Sequence, residues 1–86
     1  MPAQVEIYTK FGCGYCARAK QLLDQKGVAY DDYDISMGGA KRDELSERAP
    51  SARTVPQVFI GGKLIGGSDA LTRLEEAGQL DAMLAE

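Results

Sequence analysis

The chain has 86 residues, of which 10 are basic and 13 acidic, and it contains two cysteines but no histidine or tryptophan. A chain of this length forms one small domain, so we expect a single domain over residues 1–86. The lack of histidine excludes Ser-His and Cys-His catalysis and any imidazole metal site within this chain. The net charge of −3 argues against a nucleic-acid partner, which would require a cationic surface.

The sequence predicts a cytoplasmic protein without a membrane partner. Residues 1–6 lack a basic region followed by an apolar one. No apolar run approaches the roughly 18–20 residues that span a bilayer. In the cytoplasm, a close pair of cysteines indicates redox chemistry or metal binding rather than a structural disulfide.

The N-terminal part of the chain predicts a strand, a loop and a helix. Val5 and Ile7 alternate with polar residues, which is typical of a strand over residues 3–9. Apolar side chains recur at helical spacing over residues 13–26, and Gly27 can end that helix in a left-handed conformation. Both cysteines therefore lie where the loop meets the helix.

A weaker strand and a polar helix follow. Residues 28–35 predict a second strand, and residues 40–48 predict the helix. Aspartate is unfavourable in strands, so this strand is expected at a half-exposed edge of the sheet. We interpret its acidic cluster as a solvated edge that discourages further strand pairing. The cluster consists of Asp31, Asp32 and Asp34.

The C-terminal part predicts a hairpin and two helices. Residues 56–60 form the third predicted strand, Gly61-Gly62 the tight turn, and residues 63–65 the returning strand. Ser68 or Asp69 can serve as N-cap of the third helix, and a short helix ends the chain. The order is β-α-β-α-β-β-α-α, in which the first crossover requires a parallel pair of strands and the hairpin an antiparallel one. The fold class is therefore α/β, with a mixed four-stranded sheet flanked by helices.

The two cysteines form the motif Cys13-Gly14-Tyr15-Cys16 at the start of the first helix. Residues three apart on a helix lie about 5–6 Å from one another, a separation that a disulfide accepts. Cys13 is expected at or near the N-cap, where free N–H groups, the helix dipole and Lys10 favour its thiolate form. Cys16 is expected to be buried one turn later as a neutral thiol. We therefore predict Cys13 as the attacking nucleophile and Cys16 as the resolving thiol.

Two other interpretations of this pair involve no redox chemistry. Cysteine is often buried and inert, so the motif could consist of two reduced core residues. It could also be half of a zinc site that a second chain completes, because two cysteines supply only half of a four-ligand set. The position between a strand and a helix favours the redox interpretation over both.

The chain resembles the glutaredoxins, specifically the short bacterial class with two active-site cysteines. The resemblance rests on four segments: Ile7-Tyr8-Thr9-Lys10, Cys13-Gly14-Tyr15-Cys16, Thr54-Val55-Pro56-Gln57-Val58-Phe59-Ile60 and Ile65-Gly66-Gly67-Ser68-Asp69. It implies a thioredoxin fold and an oxidoreductase that reduces glutathione mixed disulfides and protein disulfides with glutathione as reductant. Thioredoxin itself fits less well, since no tryptophan precedes the motif and Tyr15 replaces a proline.

The resemblance also implies a glutathione site. Lys10 and Tyr15 would flank the sulfur, and Arg42 would reach the glycine carboxylate. The segment Thr54-Val55-Pro56 would bind the glutathione backbone, with a cis peptide bond before the proline. Ser68 and Asp69 would bind the γ-glutamyl end at the start of the third helix. Without the resemblance, these residues would be interpreted as solvated charges, a strand entry and an ordinary helix cap.

One departure from the family pattern leads to an alternative function. Gly14 stands where the commoner family motif has proline, and some glutaredoxins with a small residue there hold a [2Fe-2S] cluster between two subunits. Cys13 of each subunit and two glutathione thiols would then be the ligands. Otherwise no metal is expected, and the protein is expected to be a monomer.

The implied partners are glutathione and glutathionylated or disulfide-containing proteins, with ribonucleotide reductase as an example. A third possibility is a thioredoxin-like module that only binds proteins, although the intact Cys13 and Cys16 argue against it.

Overall fold

The computed structural model describes residues 2–86, which form a four-stranded sheet with helices on both faces. In chain order the elements are β1 (Val5–Thr9), α1 (Gly14–Gln25), β2 (Asp31–Asp34), α2 (Ala40–Arg48), β3 (Gln57–Ile60), β4 (Lys63–Gly66), α3 (Ser68–Glu76) and α4 (Leu80–Ala85). This order is the predicted one; the first three strands begin one to three residues later than the patterns suggested, and β4 begins at the predicted residue. Within residues 2–86, no helix is both long and apolar enough to cross a membrane.

The sheet has the strand order β2-β1-β3-β4 and the topology of the thioredoxin fold. β1 pairs with β2 in parallel and with β3 in antiparallel orientation, and β3 and β4 form the antiparallel hairpin. The predicted crossover, hairpin and edge position of β2 are thereby confirmed. Gly61 and Gly62 both have positive φ (59° and 80°), which the tight turn requires and other residues rarely adopt.

One face of the sheet carries the apolar core. Its buried side chains come from β1, β3 and the three helices α1, α3 and α4. They are Val5, Ile7, Ala19, Leu23, Val58, Ile60, Leu71, Leu80 and Leu84. Each of these apolar residues removes surface from water, at about 25 cal/mol per Å² buried. This packing fixes α1, and with it both cysteines, against the sheet.

The opposite face, under α2, contains a polar network. Glu6 is only 9% exposed and Tyr8 is fully buried, and the alternating pattern of β1 did not predict the burial of this carboxylate. Arg48 from α2 donates to both carboxylate oxygens of Glu6 at 3.0 Å and to the Tyr8 hydroxyl at 2.8 Å. Its guanidinium also lies 3.8 Å from the centre of the Phe59 ring. A buried carboxylate is tolerated here because its charge is paired and hydrogen-bonded.

The topology brings four segments to the same edge of the sheet. The carboxyl ends of β1 and β2 lie side by side because these strands are parallel. The antiparallel pairings place the start of β3 and the end of β4 at that edge as well. The cysteine loop, the segment before β3 and the start of α3 therefore meet there.

Candidate active site

Cys13 occupies the N-cap of α1, as predicted. Its backbone is extended (φ −89°, ψ 111°), and its sulfur accepts a hydrogen bond from the backbone N–H of Cys16 at 3.1 Å. The sulfur is therefore close to the free N–H groups and the positive end of the α1 dipole, which favour negative charge there. Cys13 is partly exposed, so a disulfide in solution can reach it.

Cys16 lies one helical turn further along and is 2% exposed. It shares the buried face of α1 with Ala19 and Leu23, which confirms the predicted orientation. Burial, reinforced by its hydrogen bond with Cys13, raises the pKa of Cys16 to about 11. Cys16 is therefore a neutral thiol near neutral pH. Both cysteines are free in this structure.

The segment before β3 lies against the exposed sulfur. The Val55–Pro56 peptide bond is cis, as the resemblance implied. The Cys13 thiol points at the Val55 carbonyl oxygen, with 3.8 Å between sulfur and oxygen. The Gln57 side chain donates to the Thr54 carbonyl oxygen at 2.9 Å and so fixes the backbone of the segment. Nothing in the sequence pattern pointed to this role of Gln57, since a glutamine at a strand start has no distinctive spacing.

Two depressions share Thr54 and Val55, and together they form one groove along the segment that the Cys13 thiol contacts. The first is lined by Lys10, Arg42 and Arg53 as well as these two residues. The second adds Tyr15, Pro56, Gly67, Ser68, Asp69 and Arg73. All eight residues predicted to bind glutathione thus lie along this groove. Arg53 and Arg73 were not predicted, although the place of Arg53 directly before Thr54 was a usable signal.

The two ends of the groove differ in chemistry. Lys10, Arg42 and Arg53 are exposed at one end, and none of them forms a salt bridge within residues 2–86. This end is therefore suited to a carboxylate, against the negative sign of the whole chain.

The other end of the groove is the start of α3. Gly67 is the N-cap of this helix, so the prediction of a Ser68 or Asp69 cap is wrong. Ser68 instead lies inside the first turn, 4% exposed, and its hydroxyl has no hydrogen-bond partner among the described residues. A buried hydroxyl without a partner next to free helix N–H groups is suited to bind a second anionic group.

On the other side of the cysteine loop, the acidic cluster of β2 has structural contacts that the interpretation as a solvated edge did not include. Asp32 accepts a hydrogen bond from the Thr9 hydroxyl at 2.7 Å and forms an ion pair with Lys20. Asp34 accepts from the Ser36 backbone N–H at 2.8 Å, and the Ser36 hydroxyl accepts from the Phe11 backbone N–H at 2.6 Å. The end of β2 therefore holds the cysteine loop in place.

Comparison with known proteins gives consistent matches over nearly the whole chain. The glutaredoxin family model matches residues 5–65. The chain is 49% identical over 82 residues to glutaredoxin 3 of Escherichia coli (strain K12), covering 95% of this chain and 98% of that protein. The solution structure of glutaredoxin from Brucella melitensis has a TM-score of 0.82 at 45% identity, covering 98% of this chain and 90% of that one. The crystal structure of a buckwheat glutaredoxin–glutathione complex has a TM-score of 0.82 at 37% identity, covering 95% and 76% of the two chains.

Proposed function

The chain belongs to the glutaredoxin family of glutathione-related thiol oxidoreductases, and we propose that it reduces glutathione mixed disulfides and protein disulfides with glutathione as the reductant. The observation that carries the proposal is the position of Cys13, at a helix N-cap and directly beside a groove with two anion-suited ends. Neither a pair of inert core cysteines nor a simple binding module requires that arrangement.

The proposed reaction on a glutathione mixed disulfide has two exchange steps. The Cys13 thiolate attacks the glutathione sulfur, a Cys13–glutathione disulfide forms, and the other thiol leaves as a thiolate that takes up a proton. A second glutathione thiolate then attacks the glutathione sulfur of that intermediate and releases the Cys13 thiolate and glutathione disulfide. The N–H groups at the start of α1 stabilise the charge on Cys13 at the beginning and end of this cycle.

On a protein disulfide, Cys16 has an additional role in the proposal. Cys13 attacks one substrate sulfur and forms a mixed disulfide with the protein. Cys16 then attacks the Cys13 sulfur, which releases the reduced protein and leaves a Cys13–Cys16 disulfide. Glutathione reopens this disulfide. Both sulfurs are on adjacent turns of one helix, so the bond forms with little movement of the backbone.

We assign the groove to glutathione by the charges at its ends. Lys10, Arg42 and Arg53 would bind the glycine carboxylate, and the backbone of Thr54 and Val55 would pair with the peptide as an added strand. At the other end, the start of α3 and the Ser68 hydroxyl would bind the γ-glutamyl carboxylate, while Asp69 would bind its amine. Tyr15 and Pro56 would pack beside the sulfur. The glutathione complex of the buckwheat relative supports this assignment.

The proposal is tested in a coupled assay with glutathione, glutathione reductase and NADPH, using a small glutathione mixed disulfide as substrate. We expect the wild-type protein to turn over, and we expect the Cys13→Ser variant to show only the uncatalysed rate. A matched reaction replaces glutathione by cysteamine, a thiol without carboxylates, with consumption of the mixed disulfide followed directly. Equal catalysis by both thiols would contradict the assignment of the groove to glutathione.

The alternative function, a [2Fe-2S] cluster shared by two copies of the chain, fits the residues only in part. One copy offers a single accessible sulfur ligand, from Cys13, because Cys16 is buried and its thiol is neutral. Cys13 of a second copy and two glutathione thiols would have to complete the ligand set of the cluster. Visible absorption after anaerobic purification or reconstitution with glutathione tests this alternative, with Cys13→Ser as control. A colourless monomer would count against it.

The proposal extends to the protein substrates and to the cellular location of the protein. Protein substrates are expected to be glutathionylated proteins or proteins with an accessible disulfide, of which ribonucleotide reductase is one example. We expect a monomer in the cytoplasm, and gel filtration of the reduced protein checks the oligomeric state.

A further inference from the structure

A second cleft lies on the far side of the cysteine loop, away from the glutathione groove. It has a volume of about 510 Å³, and unlike the groove it is lined by Cys16. The other lining side chains with titratable or charged groups are Lys10, Cys13, Lys20, Asp32 and Asp34. In the reaction proposed for the two cysteines, Lys20, Asp32 and Asp34 of this cleft have no role.

Lys20 is the cation of this cleft whose position is fixed. It lies on α1 four residues after Cys16, and residues at this spacing share a helix face about 5–6 Å apart. Its side chain is 32% exposed and forms an ion pair with Asp32 on β2. Asp32 also accepts the hydroxyl hydrogen bond of Thr9, which is 3% exposed on β1. Two strands of the sheet therefore hold the ammonium group beside the turn that carries Cys16.

The other charged groups of the cleft are not held beside Cys16 in the way that Lys20 is. Lys10 is exposed on the loop and also lines the basic end of the groove, and Asp34 is engaged with the Ser36 backbone. Cys13 is the only other thiol of the chain. A negative charge on Cys16 would thus have one positioned cation nearby, and that cation is Lys20.

We propose that Lys20 and Asp32 form a positioning pair for the resolving thiol, in which the held ammonium of Lys20 stabilises negative charge on the Cys16 sulfur. The inference rests on the proposed redox function of the Cys13–Cys16 pair. When a reducing thiolate attacks Cys13 of the disulfide, a new bond forms to the Cys13 sulfur and the Cys13–Cys16 bond breaks. The bonding electrons go to Cys16, which leaves as a thiolate and then takes up a proton from water. In the reverse direction, Cys16 loses its proton before it attacks Cys13.

The test measures how fast dithiothreitol opens the disulfide of the oxidised protein in single turnover. This reductant contains no carboxylate and does not depend on a glutathione site. We expect Lys20→Gln to slow the opening about tenfold, the order expected when one charge on the adjacent helical turn is removed in partly solvated protein. Lys20→Arg retains the charge and is expected to restore the rate to within about twofold of wild type.

Lys26→Gln is the matched control. Lys26 follows the same helix and also forms ion pairs, with Glu75 at 2.7 Å and Asp81 at 2.8 Å, but it does not line the cleft. We expect its disulfide to open at the wild-type rate. Wild-type rates for Lys20→Gln, equal slowing by Lys26→Gln, or no rescue by Lys20→Arg would each overturn the inference.

A second readout separates this role from a structural one. In a Cys16→Ser background, turnover of a small glutathione mixed disulfide does not use Cys16, so adding Lys20→Gln is expected to leave it unchanged. A loss there would show that Lys20 acts on Cys13 or on the fold, against the inference. Failure of the proposed function would look different, because wild-type protein would then show no glutathione-dependent turnover while its disulfide still opened in a Lys20-dependent manner.

Discussion

Cys13 and Cys16 are three residues apart on the chain, but they lie in two different regions of the molecule. Cys13 is at the surface, where helix N–H groups and a groove with two anion-suited ends surround it. Cys16 is 2% exposed on the buried face of α1, and it lines a cleft on the other side of the loop. Cys13 is therefore accessible at a helix end, whereas burial keeps the Cys16 thiol neutral near neutral pH by raising its pKa.

The difference shows how one helical turn can separate two roles. Cys13 is at the N-terminal end of α1, and Cys16, one turn further along, is on the buried face of this helix. The backbone N–H of Cys16 still reaches the Cys13 sulfur, so the two residues remain in contact. The pair can therefore combine close contact between the sulfurs with unequal reactivity.

Removing each sulfur in turn gives the largest expected effect. Cys13→Ser should abolish turnover of a small glutathione mixed disulfide, a loss of about a thousandfold or more, because the nucleophile is gone. Cys16→Ser should retain substantial activity on the same substrate and lose the reduction of protein disulfides. Steady-state assays on both substrates measure this, and equal activities of the two variants would refute the assigned roles.

The polar network under α2 tests whether stability can be lost without changing the two sulfurs. Arg48→Met removes the partner of the buried Glu6 carboxylate and should lower the free energy of unfolding by about 3 kcal/mol. Chemical denaturation measures the change. Arg18→Met is the control, since Arg18 contacts only the exposed ring of Tyr15 among aromatic residues and should change stability by less than about 0.5 kcal/mol. Similar losses in both variants would contradict the special role of the network.

The same network predicts acid sensitivity. Arg48 holds the pKa of Glu6 below its usual range, so the pair stabilises the fold above the unfolded-state pKa of Glu6. That contribution is lost as the pH falls through the lower pKa of the folded state. Stability should therefore fall on acidification more steeply in the wild type than in Arg48→Met.

The burial of Cys16 predicts a pH dependence of its own step. With its pKa raised to about 11, Cys16 is protonated near neutral pH, and its thiolate fraction rises about tenfold for each pH unit below that value. Closure of a Cys13–glutathione mixed disulfide by Cys16 should accelerate accordingly, as measured by rapid acid quenching and mass spectrometry. A rate that does not change with pH would show that Cys16 is not the titrating group of this step.

The basic end of the groove should affect substrate binding more than the chemical step. We expect Arg42→Gln and Arg53→Gln each to raise KM for a glutathione mixed disulfide about threefold, with little change in kcat, because each removes one solvated charge contact. High salt should reduce the difference from wild type. Lys63→Gln, which removes an exposed charge in β4 that does not line the groove, serves as control. A change in kcat alone would argue against a carboxylate subsite there.

Ser68 gives the smallest expected effect. Ser68→Ala should raise KM about twofold by removing one hydrogen bond to the ligand. The free energy of unfolding should stay the same or rise, because the hydroxyl has no partner among the described residues of the protein. Ser51→Ala, at an exposed position that lines neither half of the groove, should change neither quantity. A loss of stability in Ser68→Ala would indicate a structural hydroxyl instead.

Most of the fold could be predicted because its signals are local. The apolar spacing of α1, the turn at Gly61 and Gly62, and the handedness of a strand-helix-strand crossover each constrain the chain over a few residues. The burial of Glu6 could not be predicted. Alternation in β1 indicates which residues share a face, but it does not reveal that α2 covers the polar face and that Arg48 pairs with its carboxylate.

The sequence named residues that line the groove, but it did not indicate which residues contact one another. The motif and the resemblance named eight groove residues, and the structure brings all eight to one surface. The contact of Lys20 with Asp32 joins a helix to a strand, and the contact of Gln57 with Thr54, three residues apart, depends on the backbone conformation of the segment between them. No spacing rule within a single sequence encodes such contacts.

The sequence by itself determined that two cysteines lie one helical turn apart at the start of a helix, because the motif and the helical period are local properties. Only the tertiary structure decided how they differ. The apolar core against α1 buries Cys16, and the meeting of four chain segments at one sheet edge places the groove beside Cys13. Burial and juxtaposition depend on strand order and helix packing, which are set by contacts between residues distant in the chain.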